Sequence, residues 1–111
     1  MTPLNITRHD AATGPVLHVA GELDYDRAAA LRRQVEHLVL APGQRLTLDL
    51  SGLEFCDSTG ITALLAARHH AETAGADIVL AAVPPGLLRT LTIVGLDQIF
   101  TLHADGDAPE A

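Results

Sequence analysis

Aromatic residues are nearly absent from this sequence. It has no tryptophan, one tyrosine (Tyr25) and two phenylalanines (Phe55 and Phe100) in 111 residues. Recognition of unstacked bases on aromatic platforms therefore has almost nothing to work with. Lysine is missing altogether: the seven basic residues are arginines, scattered from Arg8 to Arg89, with only Arg32 and Arg33 adjacent. Nucleic-acid backbones are gripped by a basic stripe. None is visible, and the net charge of −7 argues against direct DNA or RNA binding and against anionic membranes. An acidic surface suits solubility and basic protein partners. The single cysteine, Cys56, excludes an internal disulfide and cannot build a zinc site alone. No apolar run approaches the length of about 18 residues that suggests a membrane span. Residues 1–10 lack the basic start and apolar stretch of a signal peptide, so a cytoplasmic protein is expected.

What is present is aliphatic. Hydrophobic residues make up 48% of the chain, in the range of globular proteins and above that of disordered ones. A chain of this length forms one compact domain that needs no disulfide or metal to fold. The expectation is a single domain over 1–111, with a core over about 4–103 and a polar tail at 104–111.

The pattern along the chain alternates strand and helix. Residues 4–7 and 16–20 read as two strands joined by turn residues at 11–15, a β-hairpin closed by Gly21. Residues 25–40 read as a helix with Leu31, Val35, Leu38 and Val39 inward; Asp24 or Asp26 caps its start and Pro42-Gly43 ends it. Residues 45–50 alternate as a strand that leaves Asp49 facing solvent. Residues 51–57 read as a loop, and 58–74 as a helix with Ile61, Leu64, Leu65 and the stem of Arg68 inward, stopped by Gly75. The apolar run 78–83 fits a strand covered on both faces. Pro84-Pro85 opens a third helix, with Leu87, Leu88, Leu91 and Val94 inward and Gly95 at its end. Residues 99–103 read as a last strand. The order β-β-α-β-α-β-α-β predicts an α/β fold: a mixed sheet with an N-terminal hairpin, parallel βαβ units and helices mainly on one side.

One connection has unusual content. Phe55-Cys56-Asp57-Ser58-Thr59-Gly60 leads from a strand's carboxyl end into a helix, where functional residues of such folds often sit. Ser58 and Thr59 supply hydroxyls at the positive end of the helix, and Gly60 lets another chain approach the backbone. Asp, Ser and Thr here also read as an ordinary helix cap, and a cap hydroxyl is at the same time an exposed one. A phosphate at this place is favoured by the dipole and free amides and opposed by Asp57. It adds about −1.5 to −2 charges, which at a desolvated interface costs several kcal/mol, and every ~1.4 kcal/mol is tenfold in affinity.

Taken together, these motifs resemble the STAS-domain anti-sigma factor antagonists of bacterial partner switching. The resemblance runs over about residues 4–103. It rests on Gly21-Glu22-Leu23-Asp24, on Leu48-Asp49-Leu50-Ser51 followed by Phe55-Cys56-Asp57-Ser58-Thr59-Gly60-Ile61, and on Val94-Gly95-Leu96-Asp97 with Phe100. It implies a STAS-like mixed sheet and a non-enzymatic regulator of transcription of the stress-response and sporulation kind. The unphosphorylated form would bind an anti-sigma factor that is also a serine kinase, freeing a sigma factor. Phosphorylation at Ser58 would end that binding, and a PP2C-type phosphatase would restore it. ATP and Mg²⁺ would belong to the kinase, so no cofactor is implied for this chain, and the free chain would be a monomer. Asp24 would lie near Ser58 and contact the partner; Asp57, Thr59 and Gly60 would shape the acceptor loop; Thr59 is the fallback acceptor. Two departures stand out. The tail is too short and too rich in breakers for the family's usual fourth helix, and Arg27 stands where the first helix often starts with Ser or Thr, leaving Asp26 to cap it. Some STAS-like domains are instead unphosphorylated subunits of lipid-transport ATPase complexes, or ligand sensors.

The remaining residues read plainly. Cys56 beside Ser58 suggests a redox gate, but a lone cysteine is usually a small buried hydrophobe. The six histidines show no HExxH spacing, and His69 and His70 diverge on a helix, so they read as surface residues and not metal ligands. A serine hydrolase would need a base beside Ser58 and a G-x-S-x-G elbow; neither is visible, although His18 or His103 could approach through the fold.

Overall fold

The computed structural model describes residues 3–103. Its elements are β1 (Asn5–Ala11), β2 (Gly14–Leu23), α1 (Ala28–Glu36), β3 (Arg45–Asp49), β4 (Leu53–Cys56), α2 (Ser58–Thr73), β5 (Asp77–Ala81), α3 (Pro85–Ile93), a 3-10 turn (Leu96–Gln98) and β6 (Thr101–His103). The sheet runs β1-β2-β3-β5-β6, with β4 paired to β2 off that path. Only β1 and β2 are antiparallel; the other pairs are parallel. A mixed sheet with an N-terminal hairpin and parallel crossovers is what the element pattern predicts. The tail expected at 104–111, with the question of a fourth helix, lies outside the described residues.

Leucines and valines at alternate positions of the inner strands build one aliphatic core. Leu17 and Val19 on β2, Leu46 and Leu48 on β3, and Leu80 on β5 are buried in one cluster with Leu31 and Val35 of α1, Leu64 of α2 and Leu91 of α3. The helices thus share one face of the sheet. Each such side chain stabilises the fold by about 1.5–3 kcal/mol relative to exposure.

The hairpin is longer than its propensity suggests. Gly14 and Pro15 lie inside β2, in register with Ala11 and Asp10. Gly21 does not close β2. The strand runs on to Leu23, and Gly21, at φ +96°, marks the register shift where β2 leaves β3 and takes up β4. A Cβ there would stand 2.3 Å from the carbonyl oxygen of Pro3, so a side chain is excluded by sterics as well as by φ.

Asp49 does not face solvent. β3 is paired along both edges, to β2 and β5, and its side chains are buried on both faces, Leu46 and Leu48 on one, Thr47 and Asp49 on the other, with Asp49 only 6% exposed. Parallel register sets it against His18, whose Nδ1 lies 2.5 Å from Asp49 Oδ2, while the Ser51 amide donates to Oδ1 at 3.0 Å. A buried carboxylate needs such partners.

The helices correct the periodicity reading in detail. α1 is shorter than 25–40: Val39 is 95% exposed, while Leu38 and Leu40 are buried beyond the helix end. α2 buries Gly60, Ala63, Leu64, Ala67 and Ala71. Ile61 and Leu65 sit at the edge of this stripe, and Arg68 pairs with Glu72 at 3.0 Å. Small residues win the inner face because they let α2 pack closely on its neighbours. α3 buries Leu87 and Leu91 but leaves Leu88 exposed, since a peripheral helix covers only a narrow stripe, and Val94 lies past the helix end and is exposed too.

Candidate functional site

The site grows out of a strand that the sequence hid. Residues 51–57 read as a loop, yet Leu53–Cys56 forms β4, pairing Gly21 with Leu53, Glu22 with Phe55 and Leu23 with Cys56. Four residues are too few to show alternation. Leu53 is buried, Glu54 and Phe55 are exposed, and Cys56 packs partly against the core. β4 delivers the chain directly to Asp57 and the first turn of α2.

Asp57 ties three segments together. It is extended (φ −93°, ψ −171°) and caps α2, with Oδ1 accepting from the Gly60 amide at 3.0 Å and from the Thr59 hydroxyl at 2.5 Å. Oδ2 accepts from the Tyr25 amide at 3.2 Å, and the Asp57 amide donates to the Leu23 carbonyl at 3.3 Å. The Thr59 hydroxyl first, then the Gly60 amide, holds its carboxyl below the usual carboxylate range. Asp57 is therefore an ionised clamp with its acceptor sites occupied.

The two adjacent hydroxyls are placed differently. Ser58 is the first residue of α2 and exposed. Its carbonyl accepts from Thr62 Oγ1, and its own hydroxyl has no hydrogen-bond partner among the described residues. The Thr59 hydroxyl gives its proton to Asp57 and is half-buried.

Asp24 reaches this site through its loop. The next residue, Tyr25, donates its amide to Asp57, while the Asp24 carboxylate accepts from the Arg27 amide at 3.1 Å and from Arg27 Nη1 at 2.7 Å. The start of α1 is held this way: the Asp24 carbonyl also accepts from the Ala28 amide at 2.8 Å. Asp26, read as the substitute cap, is exposed, and Arg27 occupies the N-cap position without a side-chain cap bond. Asp24 lies two residues nearer the strand than Asp26, where its carboxylate closes a turn over Arg27.

Gly60 faces inward. A Cβ on it would meet the Leu23 carbonyl oxygen at 2.5 Å and Cys56 Sγ at 2.7 Å. Its missing side chain lets α2 seat on β2 and β4; the close approach of another chain is not what the geometry provides. Cys56 is half-buried, with Sγ 3.6 Å from the Asp57 carbonyl oxygen. Burial, then the Asp57 charge, pushes its thiol up to about 12. A thiol that stays protonated is a poor nucleophile, which disfavours the redox gate.

Two exposed aromatics beside the site escaped sequence reasoning. Tyr25 is 76% and Phe55 51% exposed, on the two segments that flank Ser58. The signal was available: Tyr25 directly follows Gly21-Glu22-Leu23-Asp24, and Phe55 opens the segment that holds Ser58. His18 is occupied with Asp49 and His103 lies on the edge strand β6, and no hydrogen bond links either to Ser58. No general base therefore meets the Ser58 hydroxyl among the described residues.

Residues 6–102 match the family model described as "Mlab, STAS domain", and the chain belongs to the STAS family. It is 32% identical over 103 residues to the anti-sigma-F factor antagonist RsfB of Mycobacterium tuberculosis, covering 91% of this chain and 82% of that one. The crystal structure of an anti-sigma factor antagonist from Mycobacterium paratuberculosis superposes with a TM-score of 0.75 at 28% identity, over 91% of this chain and 86% of the other. The anti-sigma factor antagonist SpoIIAA in its unphosphorylated form shares the fold at a TM-score of 0.66 and 17% identity, over 93% and 90% of the two chains.

Proposed function

We propose that this chain is an anti-sigma factor antagonist whose binding is switched off by phosphorylation of Ser58. The observation that carries the reading is the asymmetry of the acceptor loop: Ser58 is exposed with an unengaged hydroxyl, whereas Thr59 is committed to Asp57. Kinship with RsfB over most of both chains supports the partner class. The unphosphorylated chain binds an anti-sigma factor that is also its serine kinase, and a PP2C-type phosphatase resets it. Asp24, Asp57, Ser58 and Thr59 lie on the docking side, and Gly60 shapes it from beneath. The chain supplies an acceptor and a surface, and no catalytic group, cofactor or metal of its own enters this step. No helix among the described residues is long and apolar enough to cross a membrane, in keeping with a cytoplasmic partner.

Asp57 makes the switch local. It already holds the Gly60 amide and is ionised, so a phosphate on Ser58 meets a carboxylate where it would otherwise meet a free donor. Its charge of about −1.5 to −2 is felt at the interface, where a desolvated like charge costs several kcal/mol. The fold underneath is left as it was.

The test is mass spectrometry after incubation with ATP and candidate anti-sigma kinases of the source organism. One added phosphate, mapped to Ser58, is the expected result. Ser58→Ala should bind the kinase and remain unmodified. The rival reading, an unphosphorylated STAS subunit of a lipid-transport ATPase complex, draws on the description of the matching family model. No phosphate with any kinase, in a chain that binds a transporter subunit, would decide for the rival.

A further inference from the structure

Two histidines that no motif spacing connects meet on the helix-free face of the sheet. The β1–β2 register pairs Thr7 with His18 and His9 with Val16, so His9 and His18 are diagonal neighbours within reach of long side chains. Their rings stack with centroids 4.9 Å apart, and His18 Nε2 lies 2.9 Å from His9 Nδ1. The other nitrogen of His18 faces buried Asp49 at 2.5 Å. With Nδ1 turned to the carboxylate, Nε2 is the nitrogen that faces His9. Asp49 is itself held by the Ser51 amide. The His18 ring is therefore oriented before any ligand arrives.

The geometry points to a divalent transition-metal site on this face, with His18 Nε2 and His9 Nδ1 as the protein donors and Asp49 as the carboxylate behind His18. Imidazole–metal bonds are about 2.0–2.1 Å long; two of them at a right angle place their nitrogens about 2.9 Å apart, and at the tetrahedral angle about 3.3–3.4 Å. The observed 2.9 Å fits a tetragonal ion such as Ni²⁺ as it stands, and Zn²⁺ after a small opening of the pair. Imidazole suits both ions, whereas Mg²⁺ and Ca²⁺ seek oxygen donors. A carboxylate hydrogen-bonded to the far nitrogen orients a ligating histidine and raises its basicity. No group of three or more His, Cys, Asp or Glu side chains among the described residues is placed to hold a metal. The site offers two protein donors, and its other positions belong to water.

Calorimetric titration of the full chain with Ni²⁺ and with Zn²⁺, near neutral pH in a non-chelating buffer, tests this. The expected result is one saturable ion per chain. His9→Ala, a change at an exposed position, should cut the affinity at least tenfold, while His69→Ala on α2 should leave it unchanged. Asp49→Asn should weaken binding by about 10–100-fold, with circular dichroism showing that the variant is folded. A parent chain without saturable binding overturns the site, as does a His9→Ala chain that binds like the parent. Parent-like affinity in folded Asp49→Asn overturns the role given to the carboxylate.

Discussion

Asp49 and Asp57 bracket the short segment that carries β4, and the fold uses them in opposite ways. Asp49 is buried on an interior strand, paired with His18 from the next strand and with the Ser51 amide. Asp57 stands at a helix start and collects two amides and a hydroxyl from the acceptor loop and from the Tyr25 turn. One carboxylate satisfies the inside of the sheet; the other organises an exposed loop and leaves the neighbouring Ser58 hydroxyl free. Changes around Asp49 should therefore act on the fold and spare partner binding, while changes around Asp57 should act chiefly on binding and cost the fold less.

The largest effect expected is on the inner side. Leu48→Ala, next to Asp49 and fully buried, should cost about 2–5 kcal/mol in urea unfolding, while the protein that remains folded binds its partner normally. Asp49→Ala should cost about 1–3 kcal/mol, because a half-buried imidazole loses its partner and the Ser51 amide its acceptor. A parent-like midpoint would break the contrast. On the outer side, Ser58→Asp should weaken partner binding at least tenfold, about 1.4 kcal/mol, with an unchanged melting temperature. If it lowers the melting temperature and binds like the parent, the comparison is inverted.

Two smaller effects sharpen it. The Asp57 carboxyl is held below its ordinary range in the folded chain, so its contribution is present above the ordinary carboxylate pKa and is lost as pH falls through the lowered folded value. Asp57→Asn should flatten the acid limb of the stability–pH curve by lowering stability near neutral pH, where the ionised carboxylate contributes, and the two curves should converge in acid. Thr59→Val removes the hydroxyl that bonds to Asp57. It should leave Ser58 as the phosphorylated position in tandem mass spectra, and phosphate moving off Ser58 would contradict the assignment of the free hydroxyl.

Much of this architecture was legible in the chain. The aliphatic run of β5, the alternation of β3 and the Pro-Pro entry to α3 each carry their own local signal, and parallel crossovers follow from strand and helix taking turns. β4 was not legible, because four residues that pair only with the end of β2 show no period of their own. The inner face of α2 was misplaced because periodicity weighs bulky residues, and here Ala63, Ala67 and Ala71 go inward. In the site, the serine at the helix start was readable from its motif. The engagement of Thr59, the inward-facing Gly60 and the turn closed by Asp24 each depend on residues that meet only across the fold.

The sequence by itself determined the aliphatic α/β character, the acidic balance that disfavours nucleic acid, and an Asp-Ser-Thr-Gly segment opening a helix, since all of these are local or compositional. Tertiary structure alone decided which of two adjacent hydroxyls is unengaged, that Asp49 is inside, and that His9 lies against His18. Those outcomes are set by strand register and by the seating of α2 on β2 and β4, and contacts between residues distant in sequence leave no periodic trace in the chain that makes them.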